Sequence, residues 1–148
     1  MLTVIIDARD DAERLPALLA QLTAGAVDGL VRQVLIVADA GQAGIGELCE
    51  ETGAEPSPTL EAAAQTARAD RLLVLPARFR LRDGWIGSLN GHLGREGAAA
   101  VVAGLSEGGL FRRQPYGVLV ERRRLEGGRG ADLKSLRRDL GLRARRIG

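Results

Sequence analysis

Three apolar runs, the first of them β-branched, constrain what this chain can fold into more than any other feature. They read LTVIID (residues 2–7), VRQVLIV (31–37) and DRLLVLPA (70–77), and each stops at a polar cluster. Runs of that length and apolarity suit strands covered on both faces, the pattern of a parallel sheet. The segments between them change period. In DDAERLPALLAQLTAG, Leu15, Leu18, Leu19 and Leu22 recur at i, i+3, i+4 and i+7, one face of an amphipathic helix. Asp10 and Asp11 are candidate N-caps, Pro16 fits the first turn, and Gly25 is the expected stop. IGELCEETGA predicts a short helix ended by Gly53, and SPTLEAAAQTARA a helix capped by Ser57 or Thr59. The first 77 residues thus read β-α-β-α-α-β.

That alternation predicts a single α/β domain over residues 1–148, with an open, mostly parallel sheet and helices on both faces. At 148 residues the chain is long enough to bury a core. Further along, DGWIGSLNGHL predicts a helix with Asp83 near its start and Trp85, Leu89 and Leu93 inward. AAAVVAGL and YGVLVERR read as strands joined through SEGGLFRRQP. GADLKSLRRDLG reads as a last helix, with Leu133, Leu136 and Leu140 on one face and Gly141 as its stop. Ligands of open α/β sheets bind beyond the carboxyl ends of the strands. The polar residues expected there are Asp7, Arg9 and Asp10 after the first strand, Asp39 after the second, and Arg78 after the third.

Composition narrows the class. No apolar run approaches the roughly 18 residues of a membrane span. MLTVIIDARDD lacks a basic leader region and reads as a first strand, not a signal peptide. The lone cysteine, Cys49, excludes an internal disulfide and a cysteine zinc cluster, and reads as a buried helix residue. A cytoplasmic location is the default expectation. Charge is lopsided: residues 1–111 carry nine basic and fifteen acidic side chains, net −6, and residues 112–148 twelve and four, net +8. Such a basic end attracts phosphate, anionic lipid or nucleic acid, or is a solvated surface of an Arg-rich coding bias, 20 of 21 basic residues being Arg. On the lipid reading, LKSLRRDLGLRARRIG lies on an anionic membrane face, leucines inward and arginines outward. Only Phe111 and Tyr116 accompany the arginines, too few for stacking platforms, which argues against nucleic acid.

TVIIDARDDAERLPALLAQL, VLIVADAGQAGIG, DRLLVLPARFRLRDGW, GVLVERRRLEGGRG and DLKSLRRDLG, taken in that order, resemble the successive motifs of the family 2 glycosyltransferases. The resemblance spans residues 2–141 and implies the GT-A fold and a nucleotide-sugar ligand. The departures fall on the chemistry. The family's Asp-x-Asp, which holds a divalent metal against the donor diphosphate, falls at Pro76 and Arg78. Neither binds a cation, so no metal or other cofactor is expected. The family's catalytic Glu-Asp falls at about Arg129 and Gly130, leaving Asp132, two residues on, as a displaced substitute base. The family's second turn aspartate is Gly44, and the chain is shorter than typical members.

What matches is the recognition end. Asp39 occupies the position of the family aspartate that accepts a hydrogen bond from the nucleotide base, uracil in the fitting case. Arg9 matches a position near that base, and Asp7 occupies the family's Pro. Read without the resemblance, Asp39 is an Asx-turn residue after a strand. A guanidinium binds phosphate oxygens without any ion. Arg78 and Arg80 alternate along a segment expected to be extended and would share one face, with Arg82 joining if the extension persists. The expected nucleotide and phosphate site is therefore Asp7, Arg9, Asp39, Arg78 and Arg80. His92, the only histidine, reads as a helix C-terminal cap in NGHLG.

Three functions remain open. One is a glycosyltransferase-like protein that binds a UDP-sugar without metal and transfers the sugar. Another is an inactive pseudo-glycosyltransferase kept as a binding or assembly module, self-association included. The third is a peripheral protein at an anionic membrane surface.

Overall fold

The computed structural model describes residues 1–95, 99–105, 114–126, 132–141 and 145–147. Seven strands among these form one sheet: β1 (Leu2–Asp7), β2 (Val31–Val37), β3 (Glu55–Ser57), β4 (Arg71–Pro76), β5 (Ala100–Ala103), β6 (Tyr116–Glu121) and β7 (Arg145–Ile147). Their order is β3-β2-β1-β4-β6-β5-β7. β6 alone runs antiparallel to its neighbours β4 and β5, and the other pairings are parallel. The helices are α1 (Leu15–Asp28), α2 (Ile45–Thr52), α3 (Leu60–Thr66), α4 (Trp85–Arg95), α5 (Arg122–Glu126) and α6 (Leu133–Leu140).

Strand alternation sorts the apolar residues onto two faces. Val4, Ile6, Ile36, Leu73, Leu75 and Leu119 share one core with Leu18 and Leu22 of α1, Cys49 of α2 and Leu89 of α4. Ile5, Leu35, Val37, Leu72, Val74, Val118 and Val120 share the other with Leu60 of α3, Leu125 of α5, and Leu133 and Leu136 of α6. The expected open α/β sheet with helices on both faces is what the chain forms. Each of these fully buried aliphatic side chains stabilises the fold by about 1.5–3 kcal/mol relative to an exposed one.

Several local expectations need correcting. Gly25 does not stop α1, which runs on to Asp28 and closes at Gly29, φ +89°. Gly25 is instead a notch: a Cβ there would collide with the Trp85 ring and lie 2.8 Å from Val31 Cγ2. Neither Asp10 nor Asp11 caps α1. Ala12–Arg14 form a 3₁₀ turn whose N-cap, Asp11, makes no side-chain capping bond, and α1 begins only after it. Thr59, not Ser57, caps α3, its Oγ1 accepting from the Ala62 amide at 3.0 Å. Gly53 does end α2, at φ +78°.

Part of the basic C-terminal segment is built into the fold. Leu133 and Leu136 are already buried in the core, and Arg145–Ile147 pair with β5 as an edge strand. Among the described residues no helix is long and apolar enough to cross a membrane. The linker SEGGLFRRQP lies largely outside the described residues.

Trp85 is the only tryptophan, so its fluorescence follows unfolding directly. Gly25→Ala should destabilise the protein by about 1–3 kcal/mol in denaturant titration, because the notch is full. Gly87→Ala, in α4 with open space around its Cβ, should stabilise by about 0.5–1 kcal/mol instead. Equal effects at the two sites would contradict this packing.

Candidate functional site

Sheet order decides where a ligand can sit. β2 and β4 flank β1 on opposite sides, so the direction of sheet growth reverses between β1 and β4. A reversal of that kind opens a crevice at the carboxyl ends of the strands. Backbone bonds draw those ends together. The Ala8 amide donates to the Val37 carbonyl at 2.8 Å, the Ala77 amide to the Asp7 carbonyl at 3.1 Å, and the Ala38 amide to the Ser57 carbonyl at 3.2 Å. Because β6 is antiparallel, its first residue, Tyr116, reaches the same edge.

A cleft of about 210 Å³ lies there, lined by Asp7, Asp10, Asp11, Arg78, Asp132 and Lys134, with Pro76, Ala77, Tyr116 and Leu133. The structure thus brings Asp7, Arg78 and Asp132 to one cavity. Arg9 adjoins them by gripping Asp7 with two bonds, Nε to Oδ1 at 2.9 Å and Nη2 to Oδ2 at 2.7 Å. That hydrogen bonding raises the Arg9 pKa above its ordinary value; partial burial opposes it, and the charges of Asp7, Asp39 and Asp10 add to it. Asp39 does not line the cleft. It is exposed on the next loop, with its carboxylate unbonded among the described residues.

Sequence reasoning missed the residue that holds that loop in place. Gln42 accepts from the Asp39 amide at 3.0 Å and donates to the Ala8 carbonyl at 2.8 Å, strapping the β2 loop to the end of β1. Nothing in the string AGQAG marks an amide for this work. Its partners are main-chain atoms of another loop.

Arg80 parts company with Arg78. The chain turns after β4, the Phe79 amide bonding the Pro76 carbonyl at 3.0 Å, and Phe79 is fully buried. The Arg80 guanidinium then donates to the carbonyls of Phe79 (2.7 Å), Arg14 (3.2 Å) and Ala77 (3.3 Å). The expected cationic strip of Arg78 and Arg80 on one extended face is replaced by this turn, and Arg80 is absent from the cleft lining. Arg82 donates to the Gly104 carbonyl at 3.3 Å. Gln21 clamps the same loop, accepting from the Leu81 amide at 2.8 Å and donating to its carbonyl at 3.2 Å. Arg78 is therefore displayed from a pinned turn. It is exposed, with no hydrogen bond or ion pair among the described residues.

Asp132 has a local task. It is the N-cap of α6, its Oδ1 accepting from the Ser135 amide at 2.7 Å. That bond pulls its pKa below the ordinary carboxylate range, with smaller help from the charges of Arg9 and Arg138. Arg129 and Gly130 lie outside the described residues. His92 is buried in the last turn of α4 and does not line the cleft.

The side chains at the end of β4 do not suit a divalent metal: Pro76 offers no donor and Arg78 carries the same sign of charge. Among the described residues no group of three or more His, Cys, Asp or Glu is arranged to hold an ion. A larger groove of about 520 Å³ runs between α1 and α2, but its lining is mostly aliphatic, alanine and threonine side chains without converging charged groups.

No protein-family model matches the chain, and no curated protein matches its sequence. Solved structures do match its fold. Glucosyl-3-phosphoglycerate synthase from Mycobacterium tuberculosis, in complex with phosphoglyceric acid, aligns with TM-score 0.61 and 14% identity over 83% of this chain and 57% of its own. Mannosyl-3-phosphoglycerate synthase from Rubrobacter xylanophilus aligns with TM-score 0.55 and 19% identity, covering 69% of this chain and 39% of that one. 4-Diphosphocytidyl-2C-methyl-D-erythritol synthase from Anaerococcus prevotii gives TM-score 0.57 at 12% identity over 86% and 74%. The chain thus spans well under two thirds of the length of either sugar synthase. The M. tuberculosis enzyme has also been solved with UDP. The shared architecture is a GT-A-like α/β fold.

Because the folded pKa of Asp132 is depressed, its charge stabilises the fold above the unfolded carboxylate pKa and ceases to do so as pH falls through the folded value. Asp132→Ala should cost about 1 kcal/mol at pH 7, read by urea titration. The gap to wild type should narrow below about pH 4. A gap constant down to pH 2 would mean that the carboxylate charge takes no part in the cap.

Proposed function

We propose that this chain binds a nucleotide-diphosphate sugar, with uridine as its nucleoside, and that it is a degenerate relative of the family 2 glycosyltransferases. One observation carries the reading: the loops after β1 and β4 meet at a cleft lined by Arg78, which makes no hydrogen bond or ion pair among the described residues and which the resemblance aligns with the metal motif, while the loop after β2 adjoins them through Gln42. A planar guanidinium offers a diphosphate two parallel N–H donors without a metal ion. The open Asp39 carboxylate, tethered through Gln42, is an acceptor for the uracil N3–H. Arg9, oriented by Asp7, is near enough to Asp39 to feel its charge.

Whether a sugar is transferred turns on a base. Asp132 is the acid nearest the family's catalytic position in sequence, and its bond to the Ser135 amide weakens it as a proton acceptor. That observation favours a binding protein of glycosyltransferase-like fold that has lost the chemistry. Under the active reading, transfer rests on positioning and on charge stabilisation by Arg78.

Thermal unfolding with UDP-glucose tests binding. A Kd of 10 μM at 1 mM ligand adds about 2.7 kcal/mol to stability. Arg78→Ala should remove most of that gain, and EDTA should leave it unchanged. No stabilisation by any nucleoside diphosphate, or a gain that depends on Mn²⁺, overturns the proposal. Mass spectrometry of UDP release with and without sugar acceptors then separates transfer from binding alone.

A further inference from the structure

The cleft carries more charge than a contact with Arg78 uses. Four carboxylates and two cations line it. Arg9 takes up Asp7 through two bonds, and the Ser135 amide takes up Asp132. Asp10, Asp11, Arg78 and Lys134 make no side-chain hydrogen bond or ion pair among the described residues. Opposite charges therefore share one small cavity without neutralising each other. Both cations come from anchored elements. Arg78 sits on the turn held by Gln21 and Arg80. Lys134 is the second residue of α6, which is fixed by Leu133 and Leu136 in the core and by the Arg137 guanidinium 4.3 Å over the Tyr116 ring.

We propose that Lys134 is the second arm of an anion clamp, gripping a diphosphate together with Arg78 while Asp10 and Asp11 accept hydroxyl groups of the attached sugar. This assignment rests on the nucleotide-sugar reading of the cleft. A diphosphate spreads at least two negative charges over several oxygens. The guanidinium takes a pair of them in a fixed plane, and the ammonium meets others as a compact point charge. Unpaired carboxylates repel phosphate and accept O–H, so the two acids orient the ligand with its polyol end toward them. A bare phosphate or a bare sugar complements only half of such a cleft.

Lys134 is the only lysine in the chain, so an amine-acylating reagent marks it and the N-terminal amine alone, and mass spectrometry tells them apart. Pyrophosphate is the probe for the clamp; UDP-glucose is the probe for the proposed function. Saturating pyrophosphate should abolish labelling of Lys134, relative to sodium chloride at equal ionic strength, and leave labelling of the N-terminus unchanged. Arg78→Ala should remove that protection. Lys134→Gln should weaken pyrophosphate about tenfold, the loss of one charge-assisted hydrogen bond, and Lys134→Arg should retain most of the affinity. Undiminished labelling of Lys134, or wild-type affinity in Lys134→Gln, overturns the clamp. If UDP-glucose still stabilises the wild type through Arg78 in that case, the nucleotide reading survives without it. Protection by pyrophosphate with no response to UDP-glucose leaves the clamp in place and removes the nucleotide.

Discussion

The pairing of β1 with β4 is the constraint on which the site depends. Their register, Thr3 opposite Leu72 through Asp7 opposite Pro76, continues into the bond from the Ala77 amide to the Asp7 carbonyl. A slip of one residue would turn Leu73 and Leu75 away from the core they share with Val4 and Ile6, and every side chain of β4 would change face. Hydrophobic burial therefore sets the register. The register in turn fixes where the chain turns after Pro76, and the turn sets Arg78 in one cleft with Asp7. A charged side chain is placed by the burial of a run of leucines.

With Pro76 and Arg78 at its end, β4 offers a cation no carboxylate and an anion one guanidinium. An acidic pair at a strand end collects cations; a lone guanidinium on a pinned turn collects anions. Asp7 would compete for that guanidinium, but Arg9 holds both of its oxygens. With Arg9 counted, the side chains at the cleft carry one net negative charge. Long-range attraction for an anion falls to the basic C-terminal portion, including Arg137 and Arg138 on α6, and it fades with salt over about 8–10 Å.

The parts of the fold legible in advance were those that strand and helix periodicity encode locally. The three long apolar runs, the helix through Leu15, Leu18, Leu19 and Leu22, and the inward Leu133 and Leu136 of α6 all stand where their spacing places them. The short edge strands β3 and β7 did not announce themselves. A three-residue strand has too few side chains for a period, and it exists because a neighbour offers open backbone groups. Gly25 misled for a related reason: glycine marks helix ends, yet here it marks the approach of Trp85, sixty residues away.

For the site, the chain's own order of residues determined which chemical groups lie near the carboxyl ends of the strands, Asp7, Arg9, Asp39 and Arg78 among them. It also determined that the end of β4 carries no metal-binding pair. Only the tertiary structure decided how those groups are used. It bent the segment after Pro76 so that Arg80 serves main-chain carbonyls, tied the Asp39 loop to β1 through Gln42, and gave Asp132 to the helix it caps. It also brought Lys134 to the cleft that Asp7 and Arg78 line. Local sequence specifies side-chain chemistry and backbone preference, but which hydrogen bonds a polar group completes depends on partners that folding delivers from distant segments.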